Sequence, residues 1–217
     1  GDLITDSTHP FLKNRCYGSD PAVVAAVARA VADGLLAEGV LPVVKHLPGH
    51  GRATADSHLK LPVVETDRAT LDKTDFAAFR PLSRLPLGMT AHVVFSAIDA
   101  VQPATTSAIM IRDVIRGSIG FEGLLMSDDV SMGALSGTLS ERSRAALAAG
   151  CDLVLHCNGN LDEMRQVAGA SRLLEGEAAA RADRALALRR NRVDIDVAAA
   201  RARFAELMNQ PAAGAIV

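Results

Sequence analysis

Short apolar runs alternate with longer stretches of helical periodicity along this chain. A short apolar run between breakers fits a buried strand, and apolar positions three and four apart fit one face of a helix. Residues 19–39, SDPAVVAAVARAVADGLLAEG, carry Ser19 or Asp20 as a cap, Pro21 in the first turn and Gly39 at the end. That punctuation predicts a helix. VLPVVKHL (40–47) follows as a strand. ETDRATLDKTDFAAFRPL (65–82) predicts one helix or two short ones, and LGMTAHVVF (87–95) the next strand. TTSAIMIRDVIRGSIG (105–120) has helical spacing that stops at Gly117 or Gly120, and GLLMSDDV (123–130) is a third strand. SERSRAALAAG (140–150) is a helix closed by Gly150, CDLVLHC (151–157) a fourth strand, and NLDEMRQVAGASRLL (160–174) a helix. From about Glu175 the chain is Ala- and Arg-rich and predicts helix. DLIT (2–5) is a candidate fifth strand, the tail of an early strand within Gly1 to Thr8.

Strand–helix alternation with continuously apolar strands indicates a parallel α/β architecture. Polar residues fall at the strand ends: Lys45 and His46, then Thr90 and His92, then Ser127, Asp128 and Asp129, then His156 and Asn158. Ligands bind at the carboxyl ends of strands in such folds, so a TIM-type (β/α) barrel fits best. A full eight-stranded barrel takes about 250 residues, and this chain has 217 with four or five recognisable strands. The expectation is therefore a single partial barrel domain over 1–217, incomplete at the N-terminus. Such a barrel exposes a strand edge that invites association.

Composition narrows the class. The chain is 49% hydrophobic with a net charge of −2, enough apolar content for one core and no basic excess for nucleic acid. The Arg-rich RADRALALRRNR (181–192) is expected to be a solvated helix face. Cys16, Cys151 and Cys157 form no close pair motif, which fits a reducing cytoplasm, and Cys151 and Cys157 are expected to be buried strand-end thiols. No leader is visible, and the apolar run from Pro21 is broken by Arg29, Asp33 and Glu38, so no membrane span is expected. A soluble cytoplasmic protein is the expectation.

The candidate chemistry sits in two stretches. KHLPGHGRATADSH (45–58) holds three histidines, a lysine and an aspartate among Pro and Gly breakers. Asp56 lies two residues from His58. A carboxylate there can hold one imidazole nitrogen, set the tautomer and make the other a proton carrier; a surface loop with an Asx turn is the plainer reading. Lys45 and His46 at a strand end offer donors to a polar ligand, and PGHG turns the chain, with His50 orienting backbone. In SDDVSM (127–132) adjacent carboxylates point to opposite sides of a strand. Asp128 is expected to be catalytic. Asp129 or Ser127 is expected to cap the following helix.

Four blocks in register carry a resemblance: NRCYGSDP, KHLPGHGRATADSHLKLP, MTAHVVFSAID and GFEGLLMSDDVSMGAL. Together they resemble bacterial family 3 glycoside hydrolases of the β-N-acetylhexosaminidase type across most of residues 14 to 157. The resemblance implies a retaining exo-β-N-acetylglucosaminidase acting on peptidoglycan-derived muropeptides in cell-wall recycling. It implies that Asp128 is the nucleophile and that His58 is the acid/base, with Asp56 as its dyad partner. It implies that Arg15, Lys45 and His46 bind sugar. No cofactor and no metal are implied. A histidine, with an ordinary pKa near about 6.5, can serve as acid and base near neutrality. The dyad loop lies between Pro48, Gly49 and Gly51, and is expected to close over substrate. About a hundred N-terminal residues of the family's barrel have no counterpart here, so the catalytic assignment is that of the parent enzyme.

Two rival readings stay open. A metal-dependent hydrolase on the same barrel would recruit His46, His50, His58, His92 and Asp128. A non-catalytic sugar-binding fragment would keep Arg15, Lys45 and His46 and leave Asp128 unused. With one Tyr and no Trp, sugar binding must rest on hydrogen bonds and charge.

Overall fold

The computed structural model describes residues 1–190 and 195–209. Its main sheet has four parallel strands: β1 (Val43–Leu47), β3 (Leu87–Thr90), β5 (Leu124–Asp129) and β6 (Leu153–Leu155), in that spatial order. β2 (Val63–Val64) and β4 (Val94–Phe95) form a separate parallel pair. The predicted strand 87–95 is therefore two strands, parted at residues 91–93, where the chain leaves one sheet for the other. DLIT is not a strand. Its residues are held instead by isolated bonds, Asp2 to the KHLPGH turn and the Ile4 amide to the Gly18 carbonyl at 2.7 Å.

The helices follow their punctuation. α1 (Pro10–Lys13) is one turn. α2 (Pro21–Ala37) starts at Asp20, whose Oδ1 accepts from the amides of Ala22 at 2.8 Å and Val23 at 2.9 Å. The segment 65–82 resolves into α3 (Arg68–Lys73), α4 (Asp75–Phe79) and a tight turn at Arg80–Leu82. The predicted helix of 105–120 is a wide, π-type helix over Met110–Ser118; at its end Ile119 N–H reaches back five residues to the Val114 carbonyl. α5 (Leu139–Ala149) opens on a reciprocal Thr138–Glu141 capping box and closes at Gly150. α6 (Leu161–Ala170), α7 (Gly176–Ala187) and α8 (Val197–Asn209) follow. The parts of the predicted C-terminal helix at 191–194 and 210–217 lie outside the described residues.

The core lies between the sheet and the helices around Phe76, Phe79, Leu82, Met110, Ile115, Phe121 and Leu125, all buried. Asp152 locks the far side: its carboxylate accepts from the Leu125 amide and from Arg116 at 2.8 Å, and from Arg181 at 2.9 Å. Arg181 is thus a structural partner, not part of a wholly solvated face. Cys151 is buried as expected, but Cys157 is exposed because β6 ends two residues before it.

β1 pairs only with β3 among the described strands, so the sheet is open there. Beside that edge α2 leaves Val23, Val27, Val31 and Leu35 largely exposed. No helix among the described residues is long and apolar enough to cross a membrane.

Candidate active site

Five of the six predicted residues lie towards the carboxyl ends of β1 and β5 and on the loop after β1, and Arg15 lies between α1 and α2. His46 is buried at the end of β1. Its Nδ1 donates to Asp2 Oδ2 at 2.7 Å, and its Nε2 lies 3.9 Å from Asp128 Oδ2. The second distance is within electrostatic reach but too long for a hydrogen bond. Asp128 accepts the Asp129 amide on Oδ1 at 2.8 Å, leaving Oδ2 turned to His46.

Asp129 has a different task. Its carboxylate accepts from the Ser131 amide at 2.9 Å and from the Ser131 hydroxyl at 2.7 Å, closing the turn after β5. It does not cap the next helix, which Thr138 starts. Ser127 does not cap it either: its buried hydroxyl accepts the Leu155 amide at 3.0 Å and joins β5 to β6. Behind Asp129 stands buried His92, whose Nε2–H donates to the Asp129 carbonyl at 3.0 Å while Nδ1 takes the Thr105 hydroxyl at 2.7 Å. Burial holds the His92 pKa down, partly offset by the Asp129 carbonyl, so the ring is neutral.

The dyad is formed. Asp56 Oδ1 lies 2.7 Å from His58 Nδ1 and accepts the His58 amide at 2.9 Å. The slight burial of Asp56 raises its pKa, but these two bonds outweigh that and hold it below the usual carboxylate range. An ionised Asp56 fixes the proton of His58 on Nδ1 and leaves Nε2 free to exchange one. The His58 side chain is 59% exposed. The loop itself is anchored: Gly133 N–H donates to the His58 carbonyl at 3.0 Å and Ala134 N–H to the Ser57 carbonyl at 3.1 Å. A Cβ on Gly133 would sit 2.9 Å from the His58 and Leu59 carbonyl oxygens, so only glycine permits this approach. The dyad is thereby tied to the segment that follows Asp128.

Arg15, Lys45 and His46 line a cavity of about 190 Å³ together with Asp2 and Tyr17. Asp128, Asp56 and His58 do not line it. The six predicted residues therefore divide between a mostly apolar-walled cavity, which Arg15, Lys45 and His46 line, and a second group of Asp56, His58 and Asp128, with His46 Nε2 facing Asp128. The Cys157 thiol reports the same neighbourhood. Burial and the nearby Asp129 and Asp128 push its pKa up, while Lys45 pulls it down. Arg15 places its guanidinium 5.7 Å from the centre of the Phe11 ring, and that ring stands edge-on to His58 at 5.9 Å.

Asp2, Phe11 and Ser57 were not legible as site residues, and His92, legible as a strand-end histidine, proves to be a buried support for Asp129. Asp2 is the most consequential. Besides His46 Nδ1 it accepts the His46 amide at 3.2 Å and the His50 amide at 2.7 Å, fixing the KHLPGH turn. Burial raises its pKa, but the charge and hydrogen bond of His46 outweigh this, and the carboxyl is held below the usual carboxylate range. Its folded pKa lies under its unfolded one, so its contribution is present above about pH 4 and is lost as pH falls towards the folded value. The variant Asp2→Asn is expected to lose about 2 kcal/mol near neutrality. Its stability should also fall less steeply than that of the parent below about pH 4. Urea unfolding at a series of pH values measures both.

The five residues of the metal reading do not converge. Among the described residues, no group of three or more His, Cys, Asp or Glu side chains is placed to hold a metal.

A parallel β/α sheet with an Asp at one strand end, a Lys–His pair at another and an Asp–His pair on the loop that follows has the layout of a parallel β/α barrel domain. The chain belongs to the glycosyl hydrolase family 3 N-terminal domain family, whose model matches residues 2–188. The beta-hexosaminidase of Alkalilimnicola ehrlichii is 46% identical over 149 residues, covering 67% of this chain and 42% of that protein. That of Tolumonas auensis is 39% identical over 168 residues, covering 75% and 48%. The chain thus spans less than half the length of these relatives. A family 3 β-N-acetylglucosaminidase structure from Paenibacillus sp. superposes with a TM-score of 0.78 at 30% identity, covering 90% of this chain and 41% of that one. NagZ from Neisseria gonorrhoeae gives 0.74 at 30% identity, covering 97% and 59%.

Proposed function

We propose that this chain carries the catalytic face of a retaining exo-β-N-acetylglucosaminidase that removes terminal β-linked N-acetylglucosamine from small muropeptides. The observation that supports the reading best is the 2.7 Å Asp56–His58 pair, on a loop anchored to the segment following Asp128. Asp128 attacks the anomeric carbon as the glycosidic C–O bond breaks, and His58 Nε2–H gives its proton to the departing oxygen. The covalent glycosyl ester is then opened by water. His58 Nε2 takes the water proton, the water oxygen bonds to the anomeric carbon, and Asp128 leaves as carboxylate. Asp56 stabilises the His58 imidazolium that is the acid of the first step and is regenerated in the second. Arg15, Lys45 and His46 hold sugar hydroxyls. The chemistry requires no cofactor.

The open edge of β1 and the exposed valines of α2 support a further part of the proposal. This edge is where the remainder of a closed barrel packs, and where association would occur in its absence. Cytoplasmic cell-wall recycling is the setting that fits the proposed substrate.

The test is the stereochemistry of hydrolysis. Proton NMR of an aryl N-acetyl-β-glucosaminide digest should show the β-anomer of the free sugar first, with the α-anomer growing in later by mutarotation. Initial appearance of the α-anomer would remove the covalent mechanism. The separation of the cavity lined by Arg15, Lys45 and His46 from Asp128 favours one second reading, a sugar-binding piece without turnover. Saturable sugar binding without any hydrolysis would select it.

A further inference from the structure

His50 has no role in the mechanism above, yet it is among the most buried side chains of the protein, at 1% exposure. A polar ring in that position costs free energy unless it is bonded. Its Nε2 lies 3.1 Å from the hydroxyl of Ser57, the residue between Asp56 and His58. Its Nδ1 has no partner. An unmet lone pair is cheaper to bury than an unmet N–H. The proton therefore sits on Nε2 and is donated to Ser57. Burial also lowers the His50 pKa to about 4, only partly opposed by Asp2, so the ring is neutral at ordinary pH.

Three further contacts fix where that donor stands. The His50 amide donates to Asp2, the same carboxylate that holds His46 beside Asp128. The His50 ring meets the His46 ring edge-on, with centres 5.3 Å apart. Phe11 stands edge-on to both His50 and His58, at 5.9 Å each. Gly51, the next residue, admits no side chain, since a Cβ there would fall 1.8 Å from the Leu3 carbonyl oxygen. The turn that carries His50 is thus wedged against the segment of Asp2 and Leu3.

We propose that His50, acting through Ser57 and backed by Phe11, is a positioning residue that seats the Asp56–His58 dyad at a fixed place relative to Asp128. One carboxylate, Asp2, is the common reference. It sets His46 on the nucleophile side and His50 on the acid/base side. The His50–Ser57 bond holds the seated state of a loop whose Gly and Pro residues would otherwise let it swing. This rests on the roles given above to His58 and Asp128.

The test uses Ser57→Ala and His50→Leu, which cut the bond, and His50→Gln, whose amide can still donate to Ser57. Misplacing an acid hurts a substrate that needs protonation and spares one that does not. With an alkyl or disaccharide N-acetyl-β-glucosaminide, kcat/KM should fall about tenfold to a hundredfold in the two cutting variants. With a dinitrophenyl leaving group it should change by less than about threefold, and His50→Gln should recover most of the loss. Equal losses on both substrates, or none on either, would overturn the proposal.

A second readout needs no substrate. Hydrogen exchange at the Gly133 and Ala134 amides, which bond to the dyad loop, should accelerate in Ser57→Ala and His50→Leu. Unchanged exchange in both variants would also overturn the proposal. If the parent hydrolyses no glycoside while exchange accelerates, the seating role stands and the glycosidase reading falls.

Discussion

Asp128→Asn is expected to abolish turnover, lowering kcat/KM by about 10⁴-fold or more, the scale on which removal of a covalent nucleophile acts. The geometry makes this specific to one of two adjacent carboxylates. Asp129 spends both oxygens on Ser131 and its carbonyl on His92. Asp128 spends only Oδ1, on a neighbouring amide, and turns Oδ2 towards His46. A 5-fluoro N-acetylglucosaminyl fluoride should therefore add one glycosyl mass to the protein, and peptide mapping should find it on Asp128. The Asn variant should take no label. A label on Asp129 would transfer the nucleophile to that residue and leave the Ser131 turn without its acceptor during catalysis. Asp129→Asn should instead act chiefly on stability, by loosening the turn after β5.

Local chemistry was readable where local rules decide it. The N-cap of α2, the closing Gly150 of α5, the strand ends at His46 and Asp128, and the Asp56–His58 pair all follow from residues close in sequence. What escaped depends on contacts between distant segments. Asp2 lies 44 residues from His46, and nothing near DLIT marks it as an acceptor for the KHLPGH turn. The same residues read as a strand because Leu3 and Ile4 are apolar, but their segment is fixed by side-chain bonds rather than by a ladder. Among the described residues, the break of 87–95 into β3 and β4 has a similar cause. His92 and Thr105 form a buried polar pair that draws the chain out of the first sheet, and periodicity alone cannot register it. His50 was legible as a turn residue and not as a buried donor, since burial is set by Phe11 and His46 packing round it.

His58→Ala should give a loss that depends on the leaving group, and this is the sharpest check of the dyad. With a poorly activated glycoside the first step needs His58 to protonate the departing oxygen, and kcat/KM should fall by about 10²- to 10⁴-fold. A dinitrophenyl glycoside needs no such proton, so its kcat/KM should be nearly unchanged. Its kcat should fall all the same, because the glycosyl ester on Asp128 then lacks a base to activate water. Azide, an anionic nucleophile that needs no deprotonation, should restore that kcat and yield the β-glycosyl azide. Asp56→Asn should reproduce the pattern more weakly. An amide at 2.7 Å from Nδ1 can no longer enforce the tautomer that leaves Nε2 available. Stabilisation of the imidazolium that enters the first step is lost as well. If azide restores nothing, or the loss is the same for all leaving groups, His58 is not the proton carrier, and the exposed imidazole at the loop tip must be assigned to sugar binding instead.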